Sequence, residues 1–321
     1  MKHLISTLRV IVAFILMFLL LSRVHARAVI ASLAGIDPLF IIPLLGISAV
    51  MVGISCLKWQ LFLKSRQLTV PLLSLINYYL IGYFFNNLLP GSIGGDVLRG
   101  YLLGKDRTGH LQSFTSVFLE RLTGLVALLC IGITALIFNM KLVGEPGIVI
   151  SIGLMALLFA ALISFFVFPG SRTVTLKILD HLPPRWASWS AKHFSRFYDS
   201  IAYFKNHRKI LSYSMVYSFG FQIMAVVNTL VCCWALGLRP KVVDVAVVVP
   251  IIMLVSIAPI SISSLGLWEG AFAYFFVSIG IAPPHAVSVA LILRAKNIVL
   301  GIFGGVLFAF RRKASAAPRH F

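Results

Sequence analysis

The chain has 321 residues, 60% of them hydrophobic and 12% charged, with a mean hydropathy of +0.98; a soluble domain carries about 25% charged residues, so a soluble globular fold is excluded. Lys and Arg number 28 against nine acidic residues, a formal charge of +19. These cations cluster between apolar runs instead of forming one basic domain. That removes nucleic acid from the expected partners and points to cytoplasmic loops beside anionic headgroups.

At the N-terminus, Lys2 and Arg9 precede a short apolar run, and Ala26-Arg27-Ala28 has the form of a signal-peptidase site. A retained first helix over 4–22 is expected, because later spans already commit the chain to the membrane; cleavage is the alternative. Apolar runs of spanning length fall near 4–22, 39–57, 112–138, 147–168, 210–236 and 285–310, each close to the ~20 residues a hydrocarbon core requires. Three shorter or broken pieces, near 71–89, 245–258 and 267–282, read as re-entrant or half-helices.

Segment 169–209 carries Arg172, Lys177, Arg185, Lys192, Arg196, Lys205, Arg208 and Lys209 against Asp180 and Asp199, which places it in the cytoplasm. The tail Arg311-Arg312-Lys313 agrees, so both termini are expected inside. Loops 58–70, with Lys58, Lys64 and Arg66, and 90–111, with Arg99, Lys105 and Arg107, both favour the inside. Only a re-entrant 71–89 satisfies both; Arg23 and Arg27 fall outside and run against the rule. Aromatic residues interleave with the cations of 169–209. They suit either an amphipathic segment in the headgroup layer or a plain connector with an aromatic belt.

Cys56, Cys130, Cys232 and Cys233 lie within apolar runs without zinc-ligand spacing and read as filler. The eight histidines show no ligand spacing either. No metal and no cofactor is expected.

The strongest functional signal is the block from Asn86 and Asn87 through Pro90, Gly91, Gly94, Gly95 and Asp96 to Arg99. Proline and glycines break a helix there, and broken backbone survives in a bilayer only when buried in protein or lining a wet cavity. The competing reading is a tight cytoplasmic turn capped by Asp96. A second signal is Glu120-Arg121 in an otherwise apolar helix. Adjacent helical residues point about 100° apart, so each is expected to pair with another helix, with Arg99 and Asp96 as the candidates. A structural ion pair near the interface is the alternative.

A third broken stretch runs from Pro259 through Ser261, Ser263, Ser264 and Gly266 to Glu269, and it echoes the first: a proline, small residues, one acid. Broken segments in corresponding places of two halves point to a midplane site in transporters built from inverted repeats, coincidence being the other explanation. Arg294 and Lys296 are candidate phosphate cations, with snorkelling to an interface as the alternative.

Together these residues resemble the flippase-like family shared by the membrane half of the lysyl-phosphatidylglycerol synthases and related bacterial and archaeal membrane proteins. The matching motifs are Asn87-x-x-Pro90-Gly91-x-x-Gly94-Gly95-Asp96-x-x-Arg99, Glu120-Arg121-x-x-Gly124, and Pro259 through Gly266 to Glu269 followed by Arg294. The family commonly has a glycine pair where this chain has Ser263 and Ser264, and here Trp268 precedes the glutamate. The synthases carry a soluble aminoacyl-transfer domain after the membrane half, whereas this chain stops shortly after its last apolar run. The resemblance therefore implies lipid handling without lysyl transfer.

The expected fold is an all-α polytopic transmembrane helical bundle of roughly six full spans plus re-entrant or broken helices, with an inverted repeat as one reading. It forms one domain over 1–321: an N-terminal half 1–168, a cytoplasmic amphipathic connector 169–209, a C-terminal half 210–310 and a basic tail 311–321. The expected function is an inner-membrane lipid translocase for an anionic phospholipid or polyprenyl-phosphate-linked lipid, with Arg99, Arg121 and Arg294 on phosphate and Asp96, Glu120 and Glu269 orienting them or carrying protons. The alternatives are a membrane-embedded transferase with Asp96 or Glu269 as base, and a non-transporting partner of a lipid-modifying synthase or glycosyltransferase. Membrane lipids and a second copy of the chain are the other partners considered.

Overall fold

The structure is a computed structural model that describes residues 11, 15–20, 22, 24, 26–89, 94–167, 169–179, 184–205, 207–257 and 261–316. Most of the expected span 4–22, and the predicted site residues Pro90 and Gly91, lie outside the described residues, as does Pro259. The helices are α1 (Ala26–Ala34), α2 (Ile41–Lys64), α3 (Leu72–Leu88), α4 (Gly94–Leu103), α5 (His110–Ile137), α6 (Pro146–Val167), α7 (Pro169–Leu179), α8 (Pro184–Lys205), α9 (Arg208–Ala235), α10 (Val242–Val255), α11 (Leu267–Val277) and α12 (Pro283–Ala316). The chain is thus an all-α polytopic membrane protein.

Among the described residues, the stretches Pro38–Lys64, His110–Ile137, Arg208–Ala235 and Pro283–Arg311 are long and apolar enough to cross a membrane. Their boundaries follow from backbone chemistry. Helix α5 starts after Gly109, held at φ +77, and α6 and α12 open on prolines, which lack the N–H that a first turn leaves unpaired anyway. One expectation needs correction. Lys58, assigned from sequence to a cytoplasmic loop, sits inside α2, which continues to Lys64, and the side chain is buried among α5 and α9.

The two ends of the bundle are distinguishable by their contacts. At the first end, Tyr78 Oη donates to Asp106 at 2.5 Å and Asp106 pairs with Arg311. There too Arg66 Nη2 donates to Ser200 O at 2.7 Å and Tyr203 Oη to Ser65 O at 3.0 Å. At the second end, Asp37 N donates to Ala235 O at 3.0 Å, Asn139 bonds Asp244, and Gly147 lies against the Tyr274 hydroxyl.

Helix α8 packs against the bundle along one face. Phe197, Ile201 and Phe204 pack with Phe62 and Leu119 over the ends of α2 and α5. Arg66 stacks on the Tyr203 ring at 3.8 Å, a cation held by an aromatic face.

Two short-helix hairpins enter from opposite ends. Helices α3 and α4 run in from the first end and back to it; α10 and α11 do the same from the second. In the first hairpin, Gly95 meets Gly82 so closely that a Cβ on Gly95 would enter the Gly82 carbonyl. The outer side of α3 is seated on α12, where Gly301, Gly304 and Gly305 face Asn87, Leu80 and Phe84; small residues permit such close approach where no water drives packing. The order span, hairpin, span thus occurs twice with opposite direction: α2, α3–α4, α5, and then α9, α10–α11, α12. The packing repeats as well, since α3 lies on α12 as α10 lies on α5.

Candidate functional site

The hairpin tips meet in the middle of the bundle, where Ser263 N donates to Leu89 O at 3.1 Å. Beside that contact lies a cavity of about 220 Å³, lined among others by Asn86, Asp96, Arg99, Arg121, Arg294 and Asn297.

Asp96 occupies the third position of α4. Its Oδ1 accepts Arg99 Nε at 2.9 Å and Arg121 Nη2 at 2.7 Å, while Arg121 Nε stands 2.6 Å from Oδ2. Arg121 thus grips Asp96 through two parallel bonds, the strong geometry for a guanidinium and a carboxylate. Arg99 Nη2 is 2.7 Å from Glu120 Oε2, yet neither atom completes an aligned hydrogen bond among the described residues. That contact is charge on charge.

The Arg99 guanidinium also lies over the rings of Trp59 and Tyr79, at 4.7 and 4.3 Å. Tyr79 Oη donates to Glu120 Oε1 at 3.1 Å. Arg99 is only 1% exposed, whereas the Arg121 side chain is 49% exposed and faces the open space. The pairings Arg99 with Glu120 and Arg121 with Asp96 are the cross-helix ones expected from the sequence.

The second hairpin is built to the same plan. Glu269 occupies the third position of α11, is fully buried, accepts Gly266 N at 2.8 Å and pairs with Arg294 Nε. Arg294 Nη1 donates to Ser263 O at 3.0 Å and Nη2 to Ser264 O at 3.3 Å, holding the tip. Asp96 and Arg121 are 25 residues apart, as are Glu269 and Arg294. The acid on the returning half-helix and the arginine on the following span are therefore one element used twice.

The remaining candidates divide into lining and supporting roles. Asn86 Oδ1 caps Gly95 N at 2.7 Å, and Asn87 Nδ2 donates to Asn297 O at 3.3 Å. Ser263 and Ser264 line the cavity, and Glu120 faces an adjoining chamber. Gly94, Gly95 and Glu269 are not lining residues; they shape the tips and hold an arginine. Ser261 is fully buried and its hydroxyl has no partner among the described residues. Lys296 does not reach the cavity. Sequence reasoning missed Tyr79, Tyr83 and Trp268 as lining residues and Lys58 as a buried cation.

The family model for the lysylphosphatidylglycerol synthase TM region matches residues 6–305. The chain belongs to this family. Among its relatives are three archaeal UPF0104 membrane proteins. That of Methanothermobacter thermautotrophicus is 24% identical over 88% of this chain and 86% of its own length. That of Pyrococcus horikoshii is 23% identical over 95% and 97%, and that of Methanocaldococcus jannaschii 21% over 92% and 91%. No solved structure matches the chain. In this family member the charged residues of the motifs are gathered by the fold: Asp96 and Arg99 of the first motif and Glu120 and Arg121 of the second form one cluster, and Glu269 pairs with Arg294 in the third.

Proposed function

We propose that this protein is a lipid translocase of the inner membrane, moving an anionic phospholipid or polyprenyl-phosphate-linked lipid through the central cavity. The observation that carries the reading is the tip-to-tip hydrogen bond from Ser263 N to Leu89 O. Two hairpins that enter from opposite ends and touch beside a polar cavity can expose it to either end by small movements of either tip, which is the geometry alternating access requires. Arg121 and Arg294 supply the donors for a phosphate, Arg99 adds charge behind them, and Asp96, Glu120 and Glu269 fix where the guanidiniums point.

Orientation follows from charge. Lys64, Arg66, Lys105, Arg107 and Arg311, against Asp106, lie at the first end, whereas the second end carries Asp37, Lys141, Glu145, Arg239, Lys241 and Asp244, three of each sign. The first end, with the C-terminal end of α12 and the 169–209 connector, is cytoplasmic in this reading, as is the N-terminus. A cysteine at Lys64 that an impermeant thiol reagent modifies from outside intact cells would reverse it. A synthase or glycosyltransferase that makes or consumes the lipid is the proposed partner.

The test is headgroup movement in vesicles containing this chain alone, followed by quenching of labelled lipid from outside. Wild type should equilibrate the leaflets. Asp96→Asn and Arg294→Ala should fall at least about tenfold while remaining folded in the membrane, and Lys205→Ala should match wild type. Equilibration no faster than in protein-free vesicles would end the translocase reading and favour a non-transporting role.

A further inference from the structure

The tip of the second hairpin is touched from behind by the start of the chain. Residues 15–20, 22 and 24, which precede α1, are helical. Leu16 Cβ and Met17 N lie so close to Gly266 that a Cβ built on that glycine would stand 2.5 and 3.1 Å from them. Gly266 also holds φ +79, so the close approach and the left-handed backbone both call for a residue without a side chain. Leu16, Leu20 and Val24 recur at intervals of four, the spacing of one helix face. Leu20 and Val24 pack with Ala273 of α11 and with Val287 and Leu291 of α12, whereas Ile15, Phe18 and Leu19 are exposed. Farther along, the fully buried Ser288 donates from Oγ to Val29 O at 3.4 Å.

This contact reaches the cavity through two residues. Gly266 N donates to Glu269 Oε2 at 2.8 Å, and the other carboxylate oxygen of Glu269 pairs with Arg294 Nε. Arg294 lines the cavity and donates to Ser263 O and Ser264 O. Displacing Gly266 withdraws the N–H that fixes Glu269 and, with it, the carboxylate that aims Arg294. The first tip has no such backing among the described residues. The atoms nearest to a Cβ on Gly94 or Gly95 belong to Leu89, Gly82 and Asn86 of the same hairpin, and Val97 and Tyr101 on α4 are exposed.

We infer that the N-terminal helix is a retained part of the site and that Leu16 is a positioning residue, which holds Arg294 at the cavity by fixing Gly266. This deepens the proposed translocase and rests on Arg294 meeting the cargo. Cleavage at Ala26-Arg27-Ala28 would remove Leu16, Leu20 and Val24 together and leave Gly266 without its backing. The second hairpin moves against this helix, and the first moves without one.

The first arm of the experiment is the intact mass of the purified full chain, which should include residues 1–28; a protein beginning at Val29 overturns the inference. The second arm follows thiol modification of Ser263→Cys in detergent, where both ends are open to reagent, read at that position by peptide mass. Adding Leu16→Ala should raise the rate about tenfold, because modification follows how often the tip opens, and Leu16→Met in its place should leave the rate unchanged. Asn87→Cys, which reports on the first hairpin, should react equally with either residue at position 16. A general loss of stability would raise both reporters, so only a positioning role moves position 263 alone. Headgroup movement in vesicles should fall at least about threefold in Leu16→Ala, since small misplacements of an aimed group are costly. A rise at both reporters, no rise at position 263, or undiminished movement in Leu16→Ala overturns the inference. If Leu16→Ala does not fold, hydrogen exchange in the wild type decides: amides of 264–270 should exchange at least about tenfold more slowly than those of 94–100, and equal rates overturn the inference. Wild-type vesicles that move no headgroup would end the translocase reading while the reporters still decide this one; unchanged reporters with normal movement would do the reverse.

Discussion

The two hairpins share a plan and differ in chemistry, and the difference locates where polarity has been retained. Each places an acid at the third position of the returning half-helix and an arginine 25 residues later. In the first repeat, Arg99 follows Asp96 by three residues and Glu120 immediately precedes Arg121, and the two form a second ion pair. At the matching places of the second repeat stand Phe272 and Leu293, buried in the main apolar cluster. An apolar pair therefore suffices for the architecture. Buried ion pairs are often no more stabilising than well-packed hydrophobic replacements, so Arg99–Glu120 is better explained by the cavity it borders than by folding.

That comparison can be broken by converting one repeat into the other. Removing one partner of a buried pair leaves an uncompensated charge, which typically costs about 3–5 kcal/mol. Glu120→Leu alone and Arg99→Phe alone should both strongly lower the thermal stability of the purified protein. The double variant Arg99→Phe with Glu120→Leu should recover most of that stability and still fail in headgroup movement. A double variant as unstable as the singles would show that the ion pair holds the first repeat together, and would remove the asymmetry argument.

A smaller effect separates the hairpins by packing. Gly95 lies against the Gly82 carbonyl, whereas a Cβ on Gly270, in α11, would meet nothing within 4 Å. Overfilling a packed site costs about 1–3 kcal/mol, so Gly95→Val should unseat the first hairpin and lower thermal stability and yield. Gly270→Ala should leave both unchanged or slightly raised. Equal tolerance at the two glycines would mean that the first hairpin opens readily.

Much of this was legible in the sequence because hydropathy and charge act over long windows. The spans follow from apolar length, and the re-entrant first hairpin follows from two basic loops that must share a side. The cross-helix pairing of Asp96, Arg99, Glu120 and Arg121 was legible because buried charges require partners. The equal spacing of Asp96 to Arg121 and of Glu269 to Arg294 was present in the sequence, but two pairs carry meaning only once both hairpins are known to return.

Lys58 was misplaced because a cation six residues before Lys64 looks like the flank of a loop, and hydropathy does not fix where α2 ends. Ser261, grouped with its neighbours by sequence, is buried and does not line the cavity, while the tip backbone reverses at Ser263 and Ser264.

That reversal carries the smallest and most specific prediction. Ser263 and Ser264 adopt φ of +50 and +53, a left-handed conformation that costs a residue with a Cβ roughly 1–2 kcal/mol, and they occupy the place where the resemblance expects a glycine pair. The strain is offset differently at the two positions. Ser264 Oγ donates to Ser256 O at 2.6 Å, closing the hairpin, whereas Ser263 Oγ only meets Arg294 Nη1 at 3.3 Å, beside a better bond from the same nitrogen to Ser263 O at 3.0 Å. A net hydrogen bond contributes about 0.5–1.5 kcal/mol. Ser263→Gly should therefore gain up to about 1 kcal/mol, seen as a small rise in melting temperature, while Ser264→Gly should change little, since strain relief and the lost bond nearly cancel. Ser263→Val, which keeps the strain and adds a branched Cβ, should lower stability below wild type. A fall in stability on Ser263→Gly would show that the hydroxyl, not the backbone, is what this position supplies, and the two tips would then differ in chemistry as well as in sequence.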